Sequence, residues 1–585
     1  MTAQIDVINT NNMQISRSCA ETRIYQPNIT NVNAKYIWSA VISGTSNIKI
    51  LSMSIDDNSN IYVLSQIYND DPDNFITINP ANGHNHLILK MKSVGNIILT
   101  KYDKFGEIIF ATQIIQYDGN INFHMKCQKS NIIIAGHHVG SFKLMDIFSN
   151  IYTEYYSDSP ESIIIKITNE LSFAWTSLIK STSFGKITDF SVDIHGNIYV
   201  IGSYSGHLRI KQSLILDEKR DSNILDESIG TNIFMIKYNT IGNILWATQM
   251  GNYSSIISTE NIPNSIFVMN NIIAVVGTYT TNILNFYNVP NGSILSGHGL
   301  ENSSEKMNGF LAIYDLTGSI ISSHQIKQNI LPGIMSVAID SIGHIYLTSN
   351  YESIHNLLPS TGIYLAKYHH LQGMIWDIRI TNGKNGILSI NNIDEIIMTA
   401  NYDNIVRFES PNQQILFKLT NQLSSNTFIA KINKRGFTQW VAKQSNTFGN
   451  MHISISNLND IYIGGNYRDY LRNYDSTGTI VPYSPFGINE NVFVTKYTEY
   501  VQTIIIYHPF HYSPNKLIIL DSNTRYTTIV FAKNSIIDRD MKMIDFIVFK
   551  NIGSFVQLLN NNFQWEIGAN QDIELVYVKN NLINY

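Results

Sequence analysis

A repeat of about 66 residues runs through most of the chain and constrains its fold more than any other feature. The segment Asn232–Gln249 (NIFMIKYNTIGNILWATQ) matches Asn96–Gln113 (NIILTKYDKFGEIIFATQ) without a gap. Seven positions align on the lysine of this segment, one of them holding isoleucine: Lys101, Lys166, Lys237, Ile313, Lys367, Lys431 and Lys496. Because one pattern recurs at a regular spacing, we predict an array of similar supersecondary units.

A second element recurs in phase with the first, for example in Phe190–Tyr204 (FSVDIHGNIYVIGSY). It predicts an apolar strand, a turn and an alternating strand. Its conserved spacing is marked by an isoleucine at seven positions: Ile61, Ile132, Ile198, Ile273, Ile345, Ile396 and Ile461. Adding the lysine strand and the tryptophan strand that follows it, each unit is predicted to contain four strands. Surplus residues such as 205–231 and 280–308 are predicted to form surface loops or short extra hairpins.

The two ends of the array predict how it is arranged. A twisted four-stranded sheet that is apolar on both faces cannot bury itself alone, whereas radial stacking of such sheets in a β-propeller can. The last unit lacks a tryptophan strand after Tyr497, and an orphan tryptophan strand, Lys35–Ile42, precedes the first unit. We therefore predict an all-β protein with a seven-bladed β-propeller over residues 35–498, closed by an N-terminal strand, after a polar arm of residues 1–34 with little regular structure.

After the last unit the repeat stops, and residues 499–585 have a different pattern. They contain alternating or apolar runs separated by polar turns, which predicts a small β-sandwich-like domain. The runs are Gln502–Tyr507, Lys516–Leu520, Tyr526–Ala532, Met543–Lys550, Ser554–Leu559 and Ile573–Val578. The segment Trp565–Tyr577 resembles the closing strands of domains at the tips of viral fibres and bacterial surface proteins.

The units Val192–Gly202 and Phe234–Trp246 resemble the seven-bladed β-propeller repeat known as the SBBP repeat. The resemblance covers roughly residues 35–498 and implies the propeller fold, but it brings no catalytic residues with it. In its richness in isoleucine and asparagine, the chain also resembles proteins of giant DNA viruses that infect amoebae. That resemblance implies a location in the virus particle or the host cytoplasm; without it, a cytoplasmic protein is expected.

The composition disfavours several classes of function. A net charge of −5 with 15% charged residues gives no basic surface for nucleic acid. No apolar run reaches about 18 residues, so no membrane span is expected, and residues 1–7 lack the blocks of a signal peptide. Two cysteines, Cys19 and Cys127, cannot form a disulfide framework, which favours a reducing compartment.

Repeated polar and aromatic residues are the candidates for function, and each has a structural alternative. An aromatic residue usually stands six residues after the repeat isoleucine, and five tyrosines at this position are candidate ligand-binding residues: Tyr204, Tyr279, Tyr351, Tyr402 and Tyr467. They could stack on sugar rings or pack between blades, and packing is favoured. The repeated lysines could line a channel and attract an anion, but a position between blades or toward solvent is favoured.

Acidic residues and histidines give a weaker signal. Asp56, Asp193 and Asp340 precede turns, where a carboxylate is expected to bind backbone N–H groups rather than calcium. Neighbouring side chains of a strand point to opposite faces, which makes the pairs His137–His138 and His369–His370 poor chelators of one metal. No cysteine or acidic cluster stands near the other candidates, so we expect no metal site and no cofactor; these are His84, His86, His508 and His511.

These patterns leave two hypotheses for function. No nucleophile elbow, zinc-protease motif or phosphate-binding glycine loop is present in the sequence. The favoured hypothesis is a non-enzymatic structural or protein-interaction scaffold, associated with a virus particle, that binds protein partners or assembles with itself. The alternative is a carbohydrate-binding or carbohydrate-cleaving propeller that uses the repeated tyrosines and long loops. The first is preferred because the repeat contains no concentrated polar constellation.

Overall fold

The computed structural model contains β-strands and, among its described residues, no helix, so no helix there could cross a membrane. The chain divides into a repeat region, Tyr36–Thr498, and a terminal region that comprises Met1–Lys35 and Glu499–Tyr585. The structure describes residues 4–7, 13–16, 32–68, 75–90, 95–129, 131–146, 151–213, 221–252, 260–289, 299–302, 307–326, 336–355, 358–420, 426–476, 478, 480–482, 487–501, 517–519, 528–537 and 543–548.

The strands are numbered in chain order. They are β1 (Gln4–Val7), β2 (Met13–Ser16), β3 (Val32–Gly44), β4 (Asn47–Ile55), β5 (Ile61–Tyr68), β6 (Phe75–Asn79), β7 (Leu87–Lys90), β8 (Gly95–Tyr102), β9 (Ile108–Gln128), β10 (Asn131–Met145), β11 (Ile151–Ile167), β12 (Phe173–Ser181), β13 (Phe184–Val192), β14 (Ile198–Ser213), β15 (Asp221–Tyr238), β16 (Ile244–Gly251), β17 (Asn261–Met269), β18 (Ile272–Tyr279), β19 (Ile283–Phe286), β20 (Leu300–Glu301), β21 (Asn308–Asp315), β22 (Ile320–Ile326), β23 (Ser336–Ile339), β24 (Ile345–His355), β25 (Leu358–His369), β26 (Gly373–Ile390), β27 (Ile396–Glu409), β28 (Ile415–Thr420), β29 (Asn426–Ile432), β30 (Thr438–Ile455), β31 (Ile461–Tyr474), β32 (Ile480–Pro482), β33 (Gly487–Val501), β34 (Leu517–Ile519), β35 (Thr528–Ile537) and β36 (Met543–Val548).

The terminal region contains a hairpin and a small antiparallel sheet. Strands β1 and β2 pair with Ile5 opposite Ile15, so the arm predicted to have little regular structure holds a hairpin built on apolar–polar alternation. Strands β34, β35 and β36 form a three-stranded sheet in three of the six predicted runs. The runs Gln502–Tyr507, Ser554–Leu559 and Ile573–Val578 lie outside the described residues, and the sandwich-like domain stays a prediction.

In the repeat region, each repeat isoleucine lies at or next to the start of a strand. We number the repeat units 1 to 7 after these isoleucines. In unit 3, strands β13, β14, β15 and β16 follow one another in an antiparallel sheet, with Ile198 opposite Tyr238 and Lys237 opposite Trp246. The predicted four-strand order of the unit is therefore confirmed here. Some strands continue through a unit boundary: β9 pairs with β8 of unit 1 and then with β10 of unit 2.

The surplus residues, predicted to form surface loops or short extra hairpins, form hairpins with a defined place. The second and third strands of a unit extend outward, and the extension pairs with the fourth strand of the preceding unit. We call such an extension an edge cap because it covers a strand edge that would otherwise be open. The pairs of cap and covered strand are β6 on β3, β10 on β9, β14 on β12, β19 on β16, β27 on β26 and β31 on β30.

The strand that carries the orphan tryptophan lies in the sheet of unit 7. Strand β3 is the neighbour of β33, the third strand of that unit. The Ser39 hydroxyl lies 2.8 Å from the Thr495 hydroxyl, and the amide of Asn473 donates to Ser39 over 3.1 Å. The N-terminal strand therefore takes the fourth position in the last sheet.

The hydrophobic core lies largely between neighbouring units rather than within single sheets. One cluster joins Tyr199 and Met235 of unit 3 to Val275 and Phe310 of unit 4. Another joins units 7 and 1, and its buried members include Trp38, Ile48, Ile50, Ile98, Tyr462 and Val494. Since each sheet is apolar on both faces, burial requires a sheet on either side.

Candidate functional site

The repeated lysine and tryptophan of one unit donate hydrogen bonds to the same backbone carbonyl of the next unit. In unit 2, Lys166 Nζ lies 2.7 Å and Trp175 Nε1 lies 3.2 Å from the carbonyl oxygen of Thr240. We call this arrangement the inter-unit latch. The same pair forms it in units 3, 5 and 7: Lys237 and Trp246 on Leu316, Lys367 and Trp376 on Lys434, and Lys496 and Trp38 on Lys104.

The turn that receives the latch requires glycine. Gly242 has a φ of 87°, a left-handed backbone conformation that residues other than glycine rarely adopt. A Cβ atom built there would lie 2.8 Å from the Trp175 ring, so the tryptophan of one unit packs directly on the turn of the next. The glycine that the repeat keeps five residues after its lysine therefore serves both the turn and the contact between units.

The exception to the repeat pattern preserves the latch by another route. Unit 4 has Ile313 in place of lysine and Ser322 in place of tryptophan. The Ser322 hydroxyl nevertheless donates over 2.6 Å to the carbonyl of His370, which occupies the same turn position in unit 5. Because a side chain still binds this carbonyl in a unit without the lysine and the tryptophan, the carbonyl is a common contact point between consecutive units.

The acidic turn residues bind the backbone, as the sequence predicts. One carboxylate oxygen of Asp340 accepts from the N–H groups of Ile342 (3.2 Å) and His344 (2.8 Å). Its other oxygen accepts from the Tyr346 hydroxyl over 3.0 Å and lies 3.7 Å from Lys367 Nζ. Asp56 and Asp193 accept from backbone and tyrosine in the same way.

The sequence analysis did not identify that the turn acid stands at a different position of the turn in two units. In units 6 and 7, the first turn position holds Asn391 and Ser456, and the acid stands four residues later. Glu395 Oε2 lies 2.6 Å from Lys431 Nζ, and Asp460 Oδ2 lies 3.0 Å from Lys496 Nζ. The sequence contained a signal for this shift, because five units have an acid at one of the two turn positions. These acids are Asp56, Asp193, Asp340, Glu395 and Asp460. The lysine therefore lies beside the turn acid in units 1, 5, 6 and 7. In units 1, 5 and 7 a tyrosine joins this pair, and we call the group the lysine network; unit 6 has Ile397 at the tyrosine position.

That network places the lysine ammonium over a tyrosine ring. Lys367 Nζ lies 4.9 Å from the centre of the Tyr346 ring, and Lys101 and Lys237 make the same contact with Tyr62 and Tyr199. Burial lowers the pKa of Lys367 below its ordinary value, and the charge of Asp340 opposes that shift. Lys367 and Lys496 each contact an acid, a tyrosine ring and the latch carbonyl, so these lysines are used within the fold.

The five tyrosines predicted as ligand-binding residues are buried. Tyr204, Tyr279, Tyr351, Tyr402 and Tyr467 are each 2% exposed or less. Four of them pack against a phenylalanine of the adjacent strand, with ring centres 6.2–6.3 Å apart, as Tyr279 does with Phe310. The hydroxyl of Tyr204 donates to Gln249, and that of Tyr279 accepts from Gln325 over 2.9 Å. Their predicted role in ligand binding stays a prediction.

A substitution at two of these tyrosines tests that role. If the hydroxyls bind sugar, Tyr204→Phe and Tyr279→Phe abolish binding on a glycan array. If they pack, each variant melts at a lower temperature through loss of one buried hydrogen bond, about 1 kcal/mol, without altering any glycan signal. Tyr470→Phe, at a ring that is 51% exposed, is the control for the array.

Histidines do not form a metal site in the part of the chain that the structure describes. No group of three His, Cys, Asp or Glu side chains there could hold a metal ion. His138 is fully buried and stacks on Phe142 with ring centres 5.1 Å apart, while His84 and His86 are exposed. His508 and His511 lie outside the described residues.

A cluster of titratable residues lies on the first strands of neighbouring units. Lys126 Nζ on β9 lies 4.0 Å from Asp189 Oδ1 on β13. The other oxygen of Asp189 accepts from the Ser265 hydroxyl (2.9 Å) and the Ile266 N–H (3.0 Å) on β17. Asp189 therefore joins the first strands of three units through one carboxylate.

Burial lowers the pKa of three histidines that interact electrostatically with one another, His124, His137 and His452. Burial lowers the pKa of His452 to about 3, and its interactions with His124 and Lys49 act in the same direction. Burial lowers the pKa of His137 to about 4, against the effect of its contact with the Ile187 carbonyl, 3.3 Å away. The pKa of His124 is lowered by burial as well, although Asp189 opposes the shift.

These lowered pKa values predict a pH-dependent stability. Because the folded state resists protonation while the unfolded state takes up a proton near pH 6.5, stability is complete above that pH and falls as the pH drops toward 4. By pH 4 we expect a loss of about 3 kcal/mol for each of His137 and His452. Thermal melts of His137→Asn and His452→Asn from pH 7 to 4 should show a shallower decline than the parent. The exposed His84→Asn serves as the control and should leave the decline unchanged.

No family model matches the chain. The chain is 22% identical over 651 residues to an uncharacterized WD repeat-containing protein of Acanthamoeba polyphaga mimivirus, covering 98% of this chain. It spans 46% of that relative's length, which is about half. This relative agrees with the predicted resemblance to giant-virus proteins, and the all-β repeat fold agrees with its description. The SBBP type stays a prediction.

Two solved structures share low similarity with the chain. One is the polysaccharide lyase Uly1, with a TM-score of 0.40 and 9% identity, covering 76% of this chain and 89% of the lyase. The other is a protein of unknown function from Dyadobacter fermentans, with a TM-score of 0.34 and 8% identity, covering 79% of this chain and 98% of that protein. At these TM-scores, neither structure carries an argument about this chain's function.

Proposed function

We propose that the repeat region is a closed seven-bladed β-propeller that acts as a rigid, non-enzymatic scaffold for protein partners. The observation that carries this proposal is the use of the repeated polar residues. The lysine, tryptophan and acid that recur with the unit bind within it or to the next unit, as Asp340, Lys367 and Trp376 do. The polar and ionisable side chains that could act in catalysis or ligand binding are thus used to hold the units together.

Contacts between the two ends of the array support closure. Trp38, near the N-terminus, and Lys496, in the last unit, donate to the same carbonyl of Lys104 in unit 1 over 3.4 and 3.2 Å. Asn466 of unit 7 is buried and bonds to both Ile48 and Ile50 of unit 1, with distances of 2.6 and 3.2 Å. We call these contacts the seam. The latch that joins consecutive units therefore also joins the last unit to the first.

The first strands of the units give a second line of support. Strand β4 contacts β9, and the series continues through β13, β17, β23, β26 and β30, which in turn contacts β4. A series of neighbours that returns to its start is what a ring requires, and an open solenoid would leave its first and last units without such a contact.

The viral relative supports a place in a giant-virus system, and WD repeats in its description favour protein interaction. We therefore extend the proposal to a component of the virus particle or of the infected host cytoplasm. The low exposure of the five tyrosines, at most 2%, favours the scaffold over the carbohydrate-binding alternative.

Partner capture tests the proposed function. A tagged full-length chain expressed in infected amoebae should recover a reproducible set of proteins, and proteomics of purified particles should detect the chain. The recovered set should shrink for a variant that lacks the seam contacts, Asn466→Leu with Trp38→Ala. Absence from particles together with an empty capture contradicts the proposal, and so does turnover of a polysaccharide by the purified chain.

A further inference from the structure

Two turns of a repeat unit lie at the same end of its sheet. In unit 5, Tyr368 of the third strand pairs with Ile345 at the start of the second strand and with Met374 at the start of the fourth. The turns that precede these two starts, residues 340–344 and 370–372, are therefore neighbours. Units 1 and 3 have the same register. We call the surface formed by these two turns, the corresponding turns of the other units and the strand ends beside them the turn face.

Hydrogen bonds join the turns of consecutive units along this face. The side-chain amide of Asn270 in unit 4 donates over 2.8 Å to the carbonyl of Ser341 in unit 5, whose hydroxyl donates over 2.6 Å to Asp394 in unit 6. The side-chain amide of Asn392 in unit 6 donates over 2.6 Å to the carbonyl of Asn457 in unit 7. The turn face is therefore one continuous surface across these units.

Units 1, 3 and 5 expose a pair of large apolar side chains at the same two positions of this face. The positions are four and eight residues after the repeat lysine, in the turn and at the start of the fourth strand. The six side chains are 48–65% exposed: Phe105 and Ile109, Ile241 and Leu245, and Leu371 and Ile375. At the first position, units 2, 4 and 6 have the polar residues Glu170, Thr317 and Arg435, so the turn itself does not require an apolar residue.

The apolar area of the turn face is large enough for a stable interface. Twelve of the 22 large apolar side chains that are exposed among the described residues lie in these turns or at the strand ends beside them. At roughly 100 Å² for a half-exposed side chain of this size, they present on the order of 1,000 Å². Monomers rarely expose apolar patches above a few hundred Å², and a standard interface takes about 800 Å² from each partner.

The distribution of the apolar pairs favours a second copy of the chain as the partner. In the proposed ring, one unit separates each of units 1, 3 and 5 from the next, so a partner must carry apolar groups at the same wide spacing. A second copy does so, because a two-fold axis brings one surface onto the same surface of the other copy. Exposed charges of both signs, Lys104 and Arg435 with Asp57 and Glu170, lie in these turns and can pair across such an interface.

We propose that the turn face binds the turn face of a second copy, so that two chains associate through the apolar pairs of units 1, 3 and 5. This inference rests on the proposed scaffold function and identifies one partner of the scaffold as another copy of it. The apolar pairs supply the buried area, and the charges of the turns select how one copy is rotated against the other.

Sedimentation of the full-length chain over a range of concentrations tests the inference. We expect a reversible change from the mass of one chain to the mass of two as the concentration rises. The turn-face variant carries Phe105→Thr, Ile241→Thr and Leu371→Thr, which introduce the residue type that unit 4 has at this position. The dissociation constant of its dimer should rise at least about a hundredfold, with an unchanged melting temperature.

Three exposed aromatic residues outside the turn face supply the matched control. Tyr68, Phe75 and Tyr156 are 45–68% exposed and lie in strands away from these turns. A variant with Tyr68→Thr, Phe75→Thr and Tyr156→Thr should dimerise like the parent. In a mixture of isotope-labelled and unlabelled parent chains, Lys104 and Lys434 should form cross-links between copies.

The contrary results differ in what they contradict. A chain that stays monomeric at every concentration, or a turn-face variant that dimerises like the parent, overturns the inference. Cross-links of Lys104 and Lys434 that form only within one chain overturn it as well, since another segment of the same chain would then cover the face. A monomeric chain whose captured proteins are lost in the turn-face variant assigns the face to a different protein and overturns it too. A dimer that captures no cellular protein and is absent from particles contradicts the scaffold function alone.

Discussion

Deletion of residues 1–45 should destabilise the repeat region more than any single substitution. It removes β3, which occupies the fourth position in the sheet of unit 7, and with it the buried side chains of Trp38, Val41 and Ile42. It also removes the Trp38 half of the latch on Lys104. Summed over the buried groups, the expected loss is of the order of 5–10 kcal/mol, comparable to the whole stability of a typical domain.

The deletion has a matched control and a local readout. Deletion of residues 1–31 removes the β1–β2 hairpin but keeps β3, so it should melt like the parent in scanning calorimetry. Hydrogen exchange in the 1–45 deletion should accelerate first in β33 and β4, on both sides of the seam, and a peptide of residues 32–45 added in trans should restore protection. If both deletions melt alike, or if exchange accelerates uniformly, the seam does not close the ring.

The order of strands in the repeat could be predicted because it depends on spacing alone. The offsets of Ile198, Lys237 and Trp246 are fixed by strand length and turn geometry, which are local properties of the chain. The pairing of the orphan strand followed from counting, since Trp38 has no lysine strand before it and Tyr497 has no tryptophan strand after it. The spacing of the repeat residues and a count of the strands in each unit were therefore enough to predict the strand order and the place of the N-terminal strand.

The latch could not be predicted from the same information. Nothing in the spacing of Lys166 and Trp175 indicates that both reach the carbonyl of Thr240, because backbone acceptors have no sequence signature. The tyrosines were ambiguous for a related reason. Both faces of each strand are apolar, so alternation does not tell whether Tyr204 lies between sheets or at the surface.

The edge caps lie between these two cases. The surplus residues 205–231 and 280–308 could be predicted only to form surface loops or short extra hairpins. Which strand a hairpin covers depends on how one unit is rotated against the next, and that angle comes from packing of the whole region.

Asp340→Ala should be the most destabilising substitution among the turn acids. Asp340 is fully buried and serves two backbone N–H groups, Tyr346 and Lys367. Removing it leaves Lys367, which is 6% exposed, beside a tyrosine ring without its carboxylate. Breaking one side of a buried ion pair costs about 3–5 kcal/mol, so we expect a loss of this size in the free energy of unfolding, measured by urea denaturation.

Asp103, in the turn between the third and fourth strands of unit 1, is a control for the effect of the buried charge. Asp103 accepts from the N–H groups of Phe105 (2.8 Å) and Glu107 (2.9 Å) with the same geometry, but at an exposed turn. Asp103→Ala should therefore cost only about 1 kcal/mol. Adding Lys367→Met to Asp340→Ala should recover part of the loss, because the uncompensated charge is removed. Equal losses for Asp340→Ala and Asp103→Ala, with no recovery in the double variant, would mean that the acid acts only as a turn cap and that the lysine network adds nothing to stability.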